Sequence, residues 1–319
     1  MDKKPAETPE TLLEAVRYFS NPDVCLAFLA ELRWPDGNPT CPTCWSQAVV
    51  FLREYRRWQC REKHPRRQFS IKVGTIFEDS PIPLDKWLPA VWMITNDKNG
   101  VSSYEIARAL GITQKSAWFM MHRIRRAMGT GTFTKLRGQI EADETFIGGK
   151  VRNMHKWRRA KVMEGRKGGV YSKAVVMGLL ERGLGRSKVR AAVLAKAINP
   201  AMRQVIDQHV EPGSEMLTDD SSSYRSLSPT FIHNFINHVE TYVRGHVHTN
   251  GIENFWSLLK RAIRGTYVNV EPFHLHRYVD EQVFRFNESF GKDGDRFLTV
   301  LRGIVGKRLT YDELRAAPS

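Results

Sequence analysis

Three acidic residues stand in contexts that suit chemistry on phosphodiester bonds. Asp143 lies within the strand-like run QIEADETFI, Asp219 ends the run EMLTD, and Glu253 enters the helical run GIENFWSLLKRAI. Two divalent ions about 4 Å apart can cleave such a bond when carboxylates bridge and flank them, because one ion activates the attacking oxygen and the other stabilises the leaving oxygen. We expect these three carboxylates to converge on Mg²⁺ or Mn²⁺.

Each of these carboxylates also has an ordinary structural interpretation. Glu253 follows Asn250 by three residues, so the pair could cap a helix, while Asp219 with Asp220 could form an Asx turn. Asp143 could be an exposed strand residue. Spacing alone therefore leaves the catalytic interpretation open, because catalytic carboxylates must also share one cleft.

A second group of residues has the spacing of metal ligands. Cys41 and Cys44 form a CPTC knuckle, and Cys60 with His64 lies one hairpin further along the chain. Three thiolates and one imidazole suit tetrahedral zinc, and four protein ligands leave no open position, so we expect a structural Zn²⁺ ion. The alternative is a chance CxxC beside a surface histidine. The remaining cysteine, Cys25, is predicted to be a buried core thiol.

Two short helices around a glycine are predicted between residues 102 and 128. Ser102 and Glu105 have the spacing of a capping box, Gly111 ends the first helix, and Thr113 can cap the second, QKSAWFMMHRIRRAM. In that second helix, apolar residues recur at helical spacing and predict an inward face: Ala117, Met120, Met121 and Ile124. The pattern predicts a helix-turn-helix.

The second of these helices carries the residues that would contact DNA. We expect Gln114, Lys115 and Trp118 near base edges in a major groove. The basic residues predicted to point outward are Lys115, Arg123, Arg125 and Arg126, and the arginines among them would lie on phosphates. An ordinary helical hairpin in a bundle is the alternative, since many such pairs bind no DNA.

The overall charge favours a polyanionic partner. The chain of 319 residues has 49 lysines and arginines against 34 acidic residues, a net charge of +15 spread along its length. Double-stranded DNA fits this charge, although a merely soluble cationic protein is the alternative. The opening MDKKPAETPE lacks an apolar h-region, and no segment approaches the roughly 20 apolar residues of a membrane helix, so we expect a cytoplasmic protein without membrane contact.

The elements that must position these residues form a multidomain α/β chain. Two N-terminal helices separated at Asn21-Pro22 precede the cysteines, and short β-rich runs begin after Gly138. The predicted boundaries are 1–80 for N-terminal helices and zinc ribbon, 81–130 for the helix-turn-helix, 138–290 for the catalytic domain, and 291–319 for a C-terminal helical tail. Between Gly148 and Lys173, nine basic residues predict a mobile loop that orders on DNA, and a solvated insertion without a role is the alternative.

Several motifs in order resemble a known family. The succession CPTC, QFSIKVGTIFEDSPIPLDKW, GQIEADETFIGGK, LTDDSSSY and HVHTNGIENFWSLLKRAIRGTY is similar to the zinc-ribbon DDE transposases of bacterial insertion sequences, the ISXO-like group (insertion-sequence family 1595). The likeness covers about residues 20 to 290. It implies a ribonuclease H-like catalytic fold, and it assigns the carboxylates to Asp143 rather than Glu144, to Asp219 rather than Asp220, and to Glu253.

The resemblance also implies a function and further residues. It implies metal-dependent cleavage and strand transfer at insertion-sequence ends, a homodimer or larger assembly, and a bacterial, nucleoid-associated location. Lys260 occupies the place of a DNA-contacting basic residue, and seven residues of separation put it on Glu253's face of a helix. The chain departs from relatives at Lys63, where they have a second-CxxC cysteine, so the fourth zinc ligand stays open.

Two rival functions remain at this point. One is a zinc-ribbon and helix-turn-helix DNA-binding regulator that has lost catalysis, and the other is a nuclease of the same fold without strand transfer. His246 and His248 precede the catalytic helix and could approach the metals, although hydrogen bonding near a strand end is the more ordinary role.

Overall fold

The structure is a computed structural model that describes residues 8–129, 134–148, 173–183, 185–194, 199–219, 230–236, 248–268 and 270–315, together with Lys156, Ala160 and Tyr224. Asp220, His246 and most of the predicted DNA-ordered loop lie outside these residues. The chain divides into two compact units. The first unit is Met1–Thr130 with Phe290–Ser319, and the second is Gly131–Ser289.

The regular elements are numbered in chain order. The strands are β1 (Val49–Leu52), β2 (Arg57–Cys60), β3 (Gln68–Phe69), β4 (Gln139–Ile147), β5 (Ala174–Glu181), β6 (Lys188–Leu194), β7 (Glu215–Asp219) and β8 (Ile232–Ile236). The α-helices are α1 (Leu12–Tyr18), α2 (Pro22–Arg33), α3 (Leu84–Asn96), α4 (Ser103–Leu110), α5 (Gln114–Met128), α6 (Asn199–His209), α7 (Asn250–Arg261), α8 (Leu275–Asn287), α9 (Asp293–Arg302) and α10 (Tyr311–Arg315). Among the described helices, none is long and apolar enough to cross a membrane.

The N-terminal helices begin and break where their caps predict. Thr11 and Glu14 form a capping box on α1, and Asn21 accepts a hydrogen bond from the Asp23 amide at the start of α2. The predicted break at Asn21-Pro22 is confirmed. The thiol of Cys25 is fully buried as expected and donates to the Phe19 carbonyl, and burial raises its pKa to about 12.

Aromatic rings join the N-terminal helices to the C-terminal part of the first unit. Phe297 of α9 lies 5.7 Å from Phe19, 6.3 Å from Phe28 and 5.1 Å from Trp92 between ring centroids. All four rings are buried. The C-terminal helix α9 therefore contributes to the core of this unit, because these aromatic side chains bury large apolar areas against one another.

The cysteine region folds as a small antiparallel sheet. Its strand order is β1-β2-β3, with Val49 opposite Cys60 and Trp58 opposite Phe69. Trp58 is buried and packs edge-on against Trp34 of the preceding segment at 5.0 Å. Such a small sheet has little apolar core of its own, which is the usual circumstance for a metal staple.

The predicted pair of helices after residue 102 is present with its caps. Ser102 and Glu105 form the capping box, Gly111 ends α4 in the left-handed conformation (φ 60°, ψ 47°), and the Thr113 side chain accepts from the Ser116 amide. The predicted inward residues of α5 are all buried: Ala117, Met120, Met121 and Ile124. These local predictions are confirmed, whereas DNA binding by the pair stays a prediction.

The predicted outward direction of two arginines on α5 is wrong. Arg123 is 3% exposed, and its Nη1 donates to the carbonyls of Ile76 at 3.0 Å and Glu78 at 2.6 Å, while its guanidinium lies 4.3 Å from the Phe119 ring. Arg125 is 1% exposed. Helical spacing predicted that both would face solvent. The segment after β3, which includes Ile76 and Glu78, instead covers Arg123 and offers it backbone acceptors. Lys115 and Arg126 are exposed as predicted.

The second unit is a five-stranded mixed sheet with helices on both faces. The strand order is β6-β5-β4-β7-β8, antiparallel among β4, β5 and β6 and parallel among β4, β7 and β8. One core includes α6 residues such as Met202 and Ile206, and the other includes α7 and α8 residues such as Phe255 and Val279. The predicted α/β character is confirmed for this unit.

Candidate functional site

Alternation along β4 decides which acidic side chain faces which helix layer. Ile140 and Ala142 belong to the core on the α6 side of the sheet. Successive strand residues point to opposite faces, so Glu141 and Asp143 face the α7 side, and Glu144 returns to the α6 side. The hydrogen bonds agree with this alternation. Tyr224, a member of the α6-side core, donates to the Glu144 carboxylate at 2.6 Å.

The parallel pairing of β4 with β7 brings Asp219 to the same edge of the sheet. Glu141 is paired with Leu217, and Met216 points into the α6-side core. Asp219 is two residues past Leu217, as Asp143 is two residues past Glu141, so both aspartates point to the α7 side. Asp219 ends β7 and is paired with Ile236 of β8.

Helix α7 presents Glu253 in its first turn. The residue before the helix is Thr249, whose hydroxyl donates to Glu253 Oε1 at 3.1 Å. Asn250 is the first residue of the helix and not its cap, so the alternative of a cap formed by Asn250 and Glu253 is wrong. The Glu253 side chain is exposed, and the helix N-terminus favours its negative charge.

Three residues on one face of α7 line a cleft against β4. Glu253, Trp256 and Lys260 are separated by three and four residues, which is the spacing of helix neighbours. Their side chains line the same cleft as Asp143 and Glu144. The structure therefore places Asp143, Glu253 and Lys260 around one cleft, while their catalytic and DNA-contacting roles stay predictions.

The indole of Trp256, which was not among the predicted site residues, holds the Asp143 carboxylate. Trp256 Nε1 donates a hydrogen bond to Asp143 Oδ2 at 2.9 Å. The ring can reach it because Gly178, paired with Asp143 on β5, has no side chain. A Cβ at Gly178 would lie 2.6 Å from the Trp256 ring and 2.7 Å from Ile252 Cδ1, closer than real contacts allow. Both the tryptophan and the glycine are thus required by this packing.

Burial and neighbouring carboxylates raise the pKa of both Asp143 and Glu144. Burial raises the pKa of Asp143 to about 6, the charges of Glu144 and Asp219 add to that effect, and the Trp256 hydrogen bond opposes it. Burial and the charge of Asp219 also raise the pKa of Glu144, against the hydrogen bond from Tyr224. Asp219 therefore lies near enough for its charge to act on both residues of β4. Clustered carboxylates of this kind gain by binding a cation.

The spacing of these carboxylates differs from that of a single-ion site. In the part of the chain that the structure describes, one group of metal-ligating side chains has all its ligand atoms within 4.8 Å of one another, and it is the cysteine cluster. Asp143, Asp219 and Glu253 are not gathered so tightly. Carboxylate oxygens are the ligands that Mg²⁺ prefers, so the donor type of these side chains, and not their spacing, suits such an ion.

The four predicted zinc ligands come together in the ribbon. Cys41 Sγ lies 3.5 Å from His64 Nε2, and Cys44 Sγ lies 3.5 Å from Cys60 Sγ. Tetrahedral zinc with Zn–S bonds of about 2.3 Å sets its ligands roughly 3.8 Å apart, so the four atoms fit one ion. His64 Nδ1 lies 2.7 Å from the Pro65 carbonyl, which can only accept, and this leaves Nε2 for a metal. The donor set suggests a structural Zn²⁺ ion.

The predicted DNA-contacting residues of α5 have partners within the first unit. Gln114 Nε2 donates to Ser103 Oγ at 2.8 Å, the Lys115 ammonium lies 5.3 Å from the Tyr311 ring, and Trp118 lies 4.4 Å from the His122 ring. Lys115 is exposed, while Gln114 and Trp118 are half-buried. Of these three, Lys115 has the side chain most accessible to a partner.

Comparisons with known proteins match both the cysteine ribbon and the second unit to transposase domains. Residues 135–287 match the ISXO2-like transposase domain, and residues 20–62 match the transposase zinc-ribbon domain. A protein of Halobacterium salinarum described as an uncharacterized protein in transposable element ISH50 is 29% identical over 244 residues, 73% of this chain and 80% of that protein. These matches confirm the resemblance to zinc-ribbon transposases of insertion-sequence family 1595.

A solved structure gives a weaker similarity. It is the cryoEM structure of the simian T-cell lymphotropic virus intasome in complex with the PP2A regulatory subunit B56 gamma. The identity is 13%, the TM-score is 0.27, and the match covers 56% of this chain and 63%, less than two thirds, of that chain. A similarity at this level does not establish a shared fold.

Proposed function

We propose, from the premise that the chain is similar to ISXO2-like transposases over residues 135–287, that it is a DDE transposase of an insertion sequence. It cuts DNA strands at the ends of its element and joins them to target DNA. The observation that carries the proposal is the cleft between β4 and α7. Asp143, Glu253 and Lys260 line this cleft, and Asp219 lies at the same edge of the sheet on the same face.

The strand order supports the ribonuclease H-like fold that the resemblance implies. Three antiparallel strands are followed by two parallel strands added on the other side of β4, and a helix after the last strand packs back on the sheet. The carboxylates then come from the central strand, its parallel neighbour and that helix. The caps and glycine turn of α4 and α5 likewise support a helix-turn-helix.

Each residue of the cleft has a role in this proposal. Asp143 and Asp219 from the sheet and Glu253 from α7 would hold the Mg²⁺ or Mn²⁺ ions. Ions bound there would supply activation of an attacking oxygen, from water or a DNA 3′-hydroxyl, and stabilisation of the leaving oxygen. Trp256 keeps the Asp143 carboxylate oriented. Lys260, two turns past Glu253, contacts a DNA phosphate beside the reacting bond.

The partners follow from charge and from the reaction. A net charge of +15 suits binding to double-stranded DNA, both the element ends and the target. In this proposal Lys115 of α5 is the accessible DNA contact, and Gln114 and Trp118 contact the DNA beside it. Arg123 is left out of the DNA surface because its guanidinium is buried on carbonyl groups. Since two ends must be brought together, the active form is a homodimer or larger, in the cytoplasm and on the nucleoid.

A cleavage and joining assay tests the proposal. The protein is incubated with Mg²⁺ or Mn²⁺ and a labelled duplex that carries one end of its own element, and nicked and joined products are resolved on gels. We expect both products, and we expect Asp219→Asn to abolish both. Asp207→Asn is the matched control, because Asp207 lies in the same unit, is partly exposed and pairs with Arg203 on α6.

The outcomes separate the rival functions. A retarded duplex without nicking would identify a DNA-binding regulator that has lost catalysis. Nicking without joined products would identify a nuclease. Cleavage that persists in the Asp219→Asn variant would overturn the assignment of this carboxylate.

A further inference from the structure

We propose that Glu141 is a positioning residue that fixes the start of α7 against β4 and thereby sets the place of Glu253 relative to Asp143. This inference rests on the proposed function, since it concerns the same carboxylate site. Glu141 lies on the face of β4 that Asp143 shares, two residues earlier. It does not line the cleft with Asp143 and Glu253, so its effect on the metal ions passes through other residues.

The contacts of Glu141 join strand to helix. Its side chain is buried, with 1% of the residue exposed. Oε2 accepts a hydrogen bond from the backbone amide of Ile252 at 2.9 Å, and Ile252 directly precedes Glu253. A carboxylate at a free amide of a helix N-terminus is favoured both by the hydrogen bond and by the helix dipole. The helix is therefore tied to the strand in the turn that carries Glu253.

Arg182 ties the segment before the helix to the same carboxylate. Its Nε donates to Glu141 Oε1 at 2.7 Å, and its Nη2 donates to the His248 carbonyl at 2.7 Å. The same Nη2 also lies within hydrogen-bonding distance, 2.7 Å, of His248 Nδ1. His248 thus has the hydrogen-bonding role that we gave as the ordinary alternative to metal binding. Glu141 of β4 therefore holds in place both the residues just before α7 and the first turn of α7.

Gly251 makes the close approach possible. A Cβ at this position would lie 2.9 Å from Glu141 Oε2 and 3.1 Å from Oε1. Any larger residue must push the carboxylate or the helix aside. Gly251 and the buried Glu141 carboxylate therefore form one contact, and a substitution at either residue can test it.

The buried pair of Glu141 and Arg182 is better explained by its positioning of α7 than by a contribution to the stability of the fold. Taking a carboxylate and a guanidinium out of water carries a penalty that can exceed their mutual attraction, so such a pair contributes weakly to folding. A second buried pair of this kind, Glu281 with Arg285 on α8, lies in the same unit, and Tyr267 donates to Glu281 at 2.7 Å. The described partner of that pair, Tyr267, lies outside the first turn of α7, so the pair serves as a control.

Binding of Mn²⁺ to the intact protein, without DNA, tests the proposal. The electron paramagnetic resonance signal of free Mn²⁺ reports the dissociation constant without any need for catalysis. Substitution of groups that orient metal ligands typically weakens metal affinity by about 10- to 100-fold, and we expect Glu141→Gln to do so. We expect Glu281→Gln to leave the Mn²⁺ dissociation constant unchanged, whatever it does to the melting temperature.

A second pair of variants covers the case in which Glu141→Gln folds poorly. We expect Gly251→Ala to weaken Mn²⁺ binding, and we expect Gly251→Ala combined with Glu141→Ala to be no worse than Glu141→Ala alone. Such non-additivity is the mark of residues that share one contact. Independent, additive effects of the two substitutions would contradict the proposed contact.

The result separates this inference from the proposed function. If wild-type protein binds Mn²⁺, Asp143→Asn removes that binding and Glu141→Gln keeps it at wild-type strength, the positioning role is overturned while the metal site stands. If Asp143→Asn leaves Mn²⁺ binding unchanged, the metal site itself is wrong. Equal losses in Glu141→Gln and Glu281→Gln would show general destabilisation and also overturn the positioning role.

Discussion

Trp256 Nε1 donates a hydrogen bond to Asp143 Oδ2 at 2.9 Å, across 113 residues of sequence. The indole comes from the helix that carries Glu253, and the carboxylate comes from the central strand. This hydrogen bond from α7 therefore orients the Asp143 carboxylate on β4.

Trp256→Phe tests this hydrogen bond. A smaller aromatic ring remains and the N–H donor is lost. A hydrogen bond to a charged group contributes about 1.5 to 3 kcal/mol, so we expect metal-dependent cleavage to fall by roughly 10- to 100-fold. The cleavage rate at several Mg²⁺ concentrations measures the loss. Trp92→Phe, in the core of the first unit, is the control for removal of an indole. Equal rates for Trp256→Phe and wild type would show that the bond has no part in the reaction.

Gly178→Ala tests the packing that lets the indole reach Asp143. The added Cβ would lie 2.6 Å from the Trp256 ring, so we expect the ring to move and both cleavage and melting temperature to fall. Gly265→Ala is the control, since a Cβ there meets no atom within 4 Å. Thermal melting and cleavage are measured on the same preparations. A wild-type melting temperature and rate for Gly178→Ala would contradict the close contact.

The raised pKa of Asp143 predicts a pH dependence of stability in the metal-free protein. The pKa of Asp143 is 3.8 in the unfolded chain and about 6 in the folded protein. The stability that the protonated carboxyl group contributes to the folded protein is therefore full below pH 4 and is lost as pH rises through about 6. The loss amounts to roughly 3 kcal/mol, from about 1.36 kcal/mol per pKa unit. We expect Asp143→Asn to melt at a higher temperature than wild type at pH 7.5, with little difference at pH 4.

Added metal should reverse this difference. Mg²⁺ or Mn²⁺ compensates the buried charge of wild-type Asp143 but gains little from asparagine, so saturating metal should raise the wild-type melting temperature more. Calorimetric melting from pH 4 to pH 8, with and without metal, makes the comparison. A gap between the two proteins that does not change with pH would show that Asp143 titrates as an ordinary surface carboxylate.

The ribbon is predicted to carry one zinc ion per chain, measured by native mass spectrometry. We expect His64→Cys to keep the ion because a thiolate replaces the imidazole, and His64→Ala to bind it more weakly because one ligand is lost. Cys44→Ser should weaken binding further. If His64→Ala holds zinc as tightly as wild type in the presence of a chelator, His64 is not the fourth ligand.

Two basic residues of α5 are predicted to differ in what their removal does. Arg123→Ala leaves two buried carbonyls without their charged donor, so we expect a loss of stability of roughly 3 kcal/mol, seen as a lower melting temperature. Lys115→Ala should melt like wild type and bind DNA more weakly, with the salt dependence of binding reduced by about one ion. Weaker DNA binding by Arg123→Ala at unchanged stability would reverse this assignment.

Local signals in the sequence were reliable where neighbours a few residues apart decide the structure. The capping box of Ser102 and Glu105 and the glycine end of α4 formed as predicted. The alternation in QIEADETFI places Glu141 and Asp143 on one face of a strand, so that signal was present for Glu141 although it was not used. Trp256 likewise follows Glu253 by one helical turn.

Contacts between distant segments could not be derived in this way. Helical spacing assigned Arg123 to solvent, yet the carbonyls of Ile76 and Glu78, more than 40 residues away, bury it. Whether Asp143 or Glu144 meets Asp219 depends on the register of β4 with β7, since a shift of one residue exchanges the faces.

The sequence by itself determined the metal-ligand types, the helix ends and the order of the motifs, because these depend on chemistry and on neighbours along the chain. The tertiary structure alone decided that the indole of Trp256 reaches Asp143 over Gly178 and that Glu141 meets the start of α7 at Gly251. The physical reason is that those contacts exist only once strand order, register and helix packing are set together, and no residue's local preference specifies that combination.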